Sequence, residues 1–169
     1  AVPATVTWRP KSKVLASEKP LEISFSDGWK DRSLVDTVIT VDPYETYDYW
    51  FVDKPIIFEV AKNFVINGTA ANATEQSFGR LFNFYVFDNI NFDLWKTGSP
   101  YTSYYEAEGT VSVNFNFSIA TKDAVPDTFY FVVKEYVLGV KPVVLVTSTI
   151  SWTSIYDYSD YFAEYVAST

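Results

Sequence analysis

The chain of 169 residues contains no cysteine, no histidine and no methionine. It therefore lacks thiolate nucleophiles, imidazole bases and the thiolate or imidazole ligands of most zinc sites. Long apolar runs are missing too: the longest are short segments such as Val143–Val146, far below the ~18 residues of a membrane span. The sequence predicts no metal site of these kinds and no transmembrane helix.

Basic residues are also scarce, with 13 Lys and Arg against 21 Asp and Glu and a net charge of -8. This charge repels phosphate backbones and anionic membrane surfaces, which disfavours nucleic acid as a partner. The chain has no glycine-rich phosphate loop, no G-x-S-x-G elbow and no EF-hand loop. We therefore expect no cofactor, no catalytic residues and no enzymatic activity.

What the chain does have is an apolar fraction of 48%, enough to build the core of one domain without disulfides. Apolar residues occupy every second position from Val111 to Ile119, with Ser or Asn between them. This period of two predicts a half-buried strand with Asn116 on its polar face. Similar alternation marks Leu21–Phe25, Ile56–Val60 and Val144–Trp152.

Two continuous apolar runs, Leu81–Phe87 and Phe129–Val133, predict central strands that are covered on both faces. Turn signals such as Asn67-Gly68 and Glu108-Gly109 separate the apolar segments. About ten short strands with this spacing indicate an all-β fold, an antiparallel β-sandwich of jelly-roll or immunoglobulin-like type. Near the end, the apolar spacing from Tyr158 to Val166 predicts a short C-terminal helix.

The first ten residues form a second amphipathic pattern, in which the apolar side chains are those of Val2, Ala4, Val6 and Trp8. The start at Ala1 without an initiator methionine suggests processing after secretion. A terminal strand either pairs with its own sheet or adds to the sheet of a neighbouring molecule. The polar stretch that follows residues 1–10 is long enough to permit the second arrangement.

Three Asn-X-Ser/Thr triplets predict N-glycosylation at Asn67, Asn72 and Asn116. Such acceptor sites are typical of exported proteins. An extracellular location is therefore our expectation for this chain.

Clustered aromatic residues offer a different function. Exposed rings beside polar groups bind sugars, so Trp95, Tyr101 and Tyr104 are candidates for a carbohydrate-binding platform. Packing or subunit contacts are the commoner role of such tyrosines, and we favour that interpretation. Glu106 and Glu108 lie two residues apart and would share one face of a strand. A solvated edge pair explains them better than a glycosidase dyad, because no third element accompanies them.

The strand-rich N-terminus, the segment Asp127–Val133, the run Pro142–Val146 and the three glycosylation triplets together resemble exported archaeal β-sandwich proteins. The resemblance is to the bundling-pilus subunits related to the bacterial biofilm matrix protein TasA. It implies a jelly-roll domain over residues 11–169 and a donated strand over residues 1–10.

Carried over to this sequence, the resemblance assigns the donor role to Val2, Ala4, Val6 and Trp8. It implies a cell-surface filament, a homopolymer of identical subunits that also bundles laterally with other filaments. No cofactor is implied. The alternative from the residues alone is a monomeric extracellular module that binds carbohydrate or protein.

Overall fold

The computed structural model describes residues 28–53, 60–74 and 79–155, and these form two packed β-sheets. The described strands are β1 (Gly28–Thr40), β2 (Tyr47–Asp53), β3 (Val60–Asn72), β4 (Phe82–Asp88), β5 (Tyr105–Thr110), β6 (Ser112–Thr121), β7 (Thr128–Glu135) and β8 (Val143–Ile155). One helix, α1 (Asn89–Lys96), follows β4, and a short 3-10 turn, Lys122–Ala124, follows β6.

The first sheet has the strand order β1-β8-β3-β6 and the second has the order β2-β7-β4-β5. All neighbouring strands pair antiparallel. Successive strands lie mostly in different sheets, so each sheet is built from parts of the chain that are far apart in sequence. This is the eight-strand order of a jelly roll, and it confirms the all-β sandwich prediction.

The space between the sheets is filled largely by phenylalanine. The wholly buried rings there are those of Phe64, Phe82, Phe84, Phe129 and Phe131, joined by aliphatic residues such as Ile66 and Ile150. Burial of each such side chain stabilises the fold by roughly 1.5–3 kcal/mol, an upper estimate from area alone. A core of this kind needs no disulfide.

A second apolar cluster lies on the outer face of the sheet β2-β7-β4-β5, under α1. Phe92 of the helix is buried against Phe87 and Tyr85 of β4 and Val132 of β7. Asp88 caps the helix by accepting a hydrogen bond from the Asn91 backbone N–H at 2.7 Å. Strands β4 and β7 are thus covered on both faces, which confirms their prediction as central strands.

The turn predicted at Asn67-Gly68 is wrong, because both residues lie in the middle of β3. A Cβ atom at Gly68 would collide with the Phe115 ring and with the Thr147 carbonyl oxygen. The glycine therefore serves close packing between strands and not a change of direction. The glycine of the other predicted turn, Glu108-Gly109, also lies in a strand: Gly109 is the second-last residue of β5 and has φ +62°.

Several sequence predictions fall outside the described residues: the donor strand 1–10 with Val2, Ala4, Val6 and Trp8, the strand Leu21–Phe25 and the C-terminal helix. Of the predicted strand Ile56–Val60, only Val60 is described, as the first residue of β3. Among the described elements, no helix combines the length and the apolar character that crossing a membrane requires.

Candidate functional site: an open edge of the sandwich

Strand β2 forms one edge of its sheet, and Trp50 lies at its centre. Trp50 pairs with Phe131 of β7, and Val52 pairs with Phe129. Residues directly opposite each other in an antiparallel pair share a face, so Trp50 and Val52 point between the two sheets. Yet Trp50 is 49% exposed, whereas Phe131 is wholly buried. The strands that the structure describes therefore leave the space between the sheets open at this edge.

The backbone of β2 also has groups that point away from the sheet along this edge. The Glu135 N–H donates to the Thr46 carbonyl oxygen at 2.9 Å, and this fixes which β2 residues bond to β7. By the antiparallel alternation, Trp50 bonds to β7, while the N–H and C=O groups of Tyr49 and Phe51 point away from it. No strand within residues 28–53, 60–74 and 79–155 pairs with that side of β2.

One of these outward groups has a local partner. The Tyr49 N–H donates to the Asp48 carboxylate at 2.7 Å. A carboxylate that binds an edge N–H shields it from unintended pairing, because an unpaired strand edge is a template for aggregation. The shield is a flexible side chain, so an incoming strand can replace it.

The opposite wall of the opening is β1, the edge strand of the other sheet. Lys30 pairs with Trp152 and Arg32 pairs with Ile150, so both basic residues share the face that Trp152 and Ile150 turn to the core. Inward-pointing charges on an edge strand discourage unintended pairing of that edge with another strand. Their aliphatic stems nevertheless provide apolar surface.

The other side of the sandwich, between β5 and β6, is closed by tyrosines. Tyr104 stacks on Phe117 with ring centroids 5.0 Å apart, and Tyr105 packs on Phe84 and Phe115. Burial raises the pKa of Tyr104 to about 12, with a further contribution from the charge of Asp88. The two sides of the sandwich therefore differ: among the described residues, the inward-facing ring of Trp50 is half exposed, whereas the rings on the β5–β6 side are packed against the core.

The predicted carbohydrate platform is divided by the fold. Trp95 and Tyr101 pack on the outer cluster under α1, where Tyr101 lies edge-on to Phe87 at 5.4 Å. Tyr104 instead packs against the core between the sheets. The three rings therefore do not form one surface.

The carboxylates Glu106 and Glu108 lie on one exposed face of β5, as the sequence predicted. The hydroxyls of Tyr101 and Ser103 both donate to Glu106, each at 3.2 Å. The described ranges contain no group of three carboxylates that would hold a metal ion. The pair is thus a solvated edge feature tied to neighbouring hydroxyls.

Two of the three predicted glycosylation residues meet on the outer face of the sheet β1-β8-β3-β6. Asn67 of β3 and Asn116 of β6 are directly opposite each other and exposed. Asn72, the third, lies at the end of β3 and is only partly exposed, with its Oδ1 buried. The polar face predicted for β6 from its alternation is confirmed.

No protein-family model and no curated protein matches this chain. A solved structure titled "CBM4 structure and function" is similar at 16% identity, covering 79% of this chain and 76% of that chain, with a TM-score of 0.29. The candidate site of this chain is therefore defined by its own geometry, the open edge between β1 and β2.

Proposed function

We propose that this chain is the structural subunit of an extracellular filament, and that its N-terminal strand adds to the open edge of a neighbouring subunit. The observation that carries the proposal is the 49% exposure of Trp50, which faces the space between the sheets. A strand added beside β2 would cover this ring with its own inward side chains. The role we propose is structural and not catalytic.

The N-terminal pattern fits such an edge. Val2, Ala4, Val6 and Trp8 would point between the sheets, while the residues between them face outward. Each buried apolar side chain contributes roughly 1.5–3 kcal/mol by area. The ladder hydrogen bonds would use the outward-pointing backbone groups of Tyr49 and Phe51, with the added strand replacing Asp48 at the Tyr49 N–H. Because donor and acceptor are different parts of the subunit, the contact is head-to-tail and can propagate.

Pro3 favours one direction for the added strand. In an antiparallel arrangement the outward-facing residues of the donor would bond to β2, and Pro3 has no N–H to give. In a parallel arrangement the inward-facing residues bond to β2, and the Pro3 nitrogen points away. We therefore expect the donor strand to run parallel to β2.

The net charge of -8 bears on lateral bundling. Subunits of like charge repel one another, and salt screens this repulsion over a Debye length of about 10 Å at 0.1 M. Bundles of filaments should therefore depend on salt or on divalent cations, whereas the strand contact within a filament should not.

The test is negative-stain electron microscopy of the intact chain beside a variant that lacks residues 1–9, at matched concentration and salt. Two single substitutions sharpen the test. Val6→Asp places a charge at an inward position of the donor strand, and its matched control, Thr5→Asp, places the same charge at an outward position. We expect filaments from the intact chain and from Thr5→Asp, and folded monomers from the other two.

Filaments from the truncated variant would contradict strand donation. Compact monomers from the intact chain would contradict the filament itself and favour a monomeric carbohydrate- or protein-binding module. Near-ultraviolet circular dichroism of each variant separates loss of assembly from loss of the fold.

A further inference from the structure

Asn67 and Asn116 belong to separate acceptor triplets, 49 residues apart in sequence, but they form one pair in space. They are in register on the neighbouring antiparallel strands β3 and β6. The Asn116 side-chain amide donates to Oδ1 of Asn67 at 2.5 Å. Both side chains are exposed on the outer face of the sheet.

The pair lies in a shallow depression of about 650 Å³ on this face. Its rim is rich in hydroxyl and amide groups, including those of Thr69, Thr147, Thr149 and Asn114. The Thr69 and Thr147 hydroxyls bond to each other at 2.8 Å. Such a surface offers hydrogen bonds to the hydroxyls of a sugar linked at its centre.

We propose that Asn67 and Asn116 act as a single N-glycosylation site, so that a molecule carries a glycan on one of them and never on both. Neighbouring strands are ~4.8 Å apart, and the Cβ atoms of opposite residues are about 4.5–5.5 Å apart. Two pyranose rings rooted on adjacent amide nitrogens would occupy the same space above the sheet.

The hydrogen bond between the two amides adds to this exclusion. A glycan linked to Nδ2 of Asn67 leaves its Oδ1 in place to accept from Asn116. The second amide is then held beneath the first sugar and is not accessible to a transferase. The three triplets of the sequence thus correspond to at most two glycans on each subunit.

This inference rests on the export that the proposed function requires, but not on filament assembly. The test is mass spectrometry of the denatured chain, purified from a host that glycosylates exported proteins. A Thr74→Ala background removes the triplet at Asn72 while keeping that asparagine. In this background we expect an intact mass with at most one glycan. Glycopeptide analysis should find that glycan on Asn67 in some molecules and on Asn116 in the others.

Two further variants make the test sharp. Thr69→Ala removes the acceptor triplet of Asn67 without removing its amide, and Ser118→Ala does the same for Asn116. We expect each change to raise the glycan occupancy of the remaining asparagine towards the summed occupancy of Asn67 and Asn116 in the Thr74→Ala background. Doubly glycosylated molecules in the Thr74→Ala background, unchanged occupancy in the two variants, or no glycan on either asparagine would overturn the proposal.

Because the masses are read on denatured monomers, this result is independent of whether filaments form. If the chain forms filaments and carries glycans on both Asn67 and Asn116, only the single-site inference is rejected. If the native chain stays monomeric and carries one glycan at this pair, only the filament proposal is rejected.

Discussion

Trp50 and Phe131 are cross-strand neighbours that face the same space between the sheets, yet one is half exposed and the other is wholly buried. The difference arises because β7 is central and β2 is an edge. In a sandwich that closes on itself, both rings would be covered by the opposite sheet. Here an inward ring is half exposed beside backbone groups that point away from the sheet.

The first prediction concerns this ring. Under the proposed function, replacing Trp50 with Ser should reduce filament formation strongly, because a donor strand would lose its central apolar contact. Phe51→Ser is the matched control: Phe51 is 55% exposed, but it points to the outer face of the same strand. Sedimentation velocity measures polymer against monomer. Equal polymerisation of the two variants would exclude the inward face of β2 as the acceptor.

The second prediction concerns strand direction, and the absence of native cysteine makes it simple to test. A disulfide forms only where Cα atoms approach within about 4.4–6.8 Å. If the donor runs parallel to β2, then Val2→Cys with Asp48→Cys should crosslink neighbouring subunits faster than Val2→Cys with Val52→Cys. Non-reducing electrophoresis gives both rates. The reverse order would indicate an antiparallel donor.

The third prediction concerns pH. Burial, followed by the charge of Glu108, raises the pKa of Tyr85 from 10.0 to about 12. The unfolded chain releases this phenolic proton first as pH rises, so ionisation favours unfolding. The contribution of Tyr85 to stability is thus complete below pH 10 and is lost between pH 10 and about 12.

Chemical denaturation at several pH values measures this loss. Tyr85→Phe should flatten the fall in the unfolding midpoint above pH 10. Tyr104 has its pKa raised to about 12 as well, so the double variant Tyr85→Phe/Tyr104→Phe should flatten it further. A fall of unchanged steepness in the double variant would assign alkaline unfolding to other groups.

The fourth prediction concerns the buried carboxylate of Glu135. Its Oε2 accepts from the Lys141 ammonium at 2.6 Å and from the Gly139 N–H at 3.3 Å. Lys141→Met leaves the carboxylate without its counter-ion and should lower the free energy of unfolding by about 3–5 kcal/mol.

The double variant Glu135→Gln/Lys141→Met removes both charges and should recover part of this loss. Urea denaturation midpoints compare the two proteins. A single variant as stable as the double one would mean that the ion pair contributes little, and that water reaches Glu135.

The elements that could be predicted from the sequence are those with an unbroken pattern. In β6 and β8 one face is buried and the other is polar along the strand, which gives the alternation. In β4 and β7 both faces are covered, which gives the continuous apolar runs. Strand β1 was missed because its register shifts between Ser33 and Val35, which breaks the period of two. The helix α1 was missed because eight residues are too few for a clear helical period.

The candidate site depends on information that is not local. Trp50 lies close in sequence to Tyr47 and Tyr49, but on β2 it points to the opposite face from these two tyrosines. Which face is covered depends on the neighbouring sheet and on α1, whose Phe92 and Trp95 pack on Tyr47. The pairing of Asn67 with Asn116 likewise depends on strand register, which spacing in sequence does not give.

The pairing of β1 with β8 has a consequence for the order of folding events. It joins the first described strand to the last, so Val38 meets Leu145 only after the long segment between them is available. Contacts this distant in sequence form late and slowly. One wall of the cleft beside Trp50 is therefore complete only after β8 has paired with β1, and under the proposed function a subunit cannot receive a donor strand before that step.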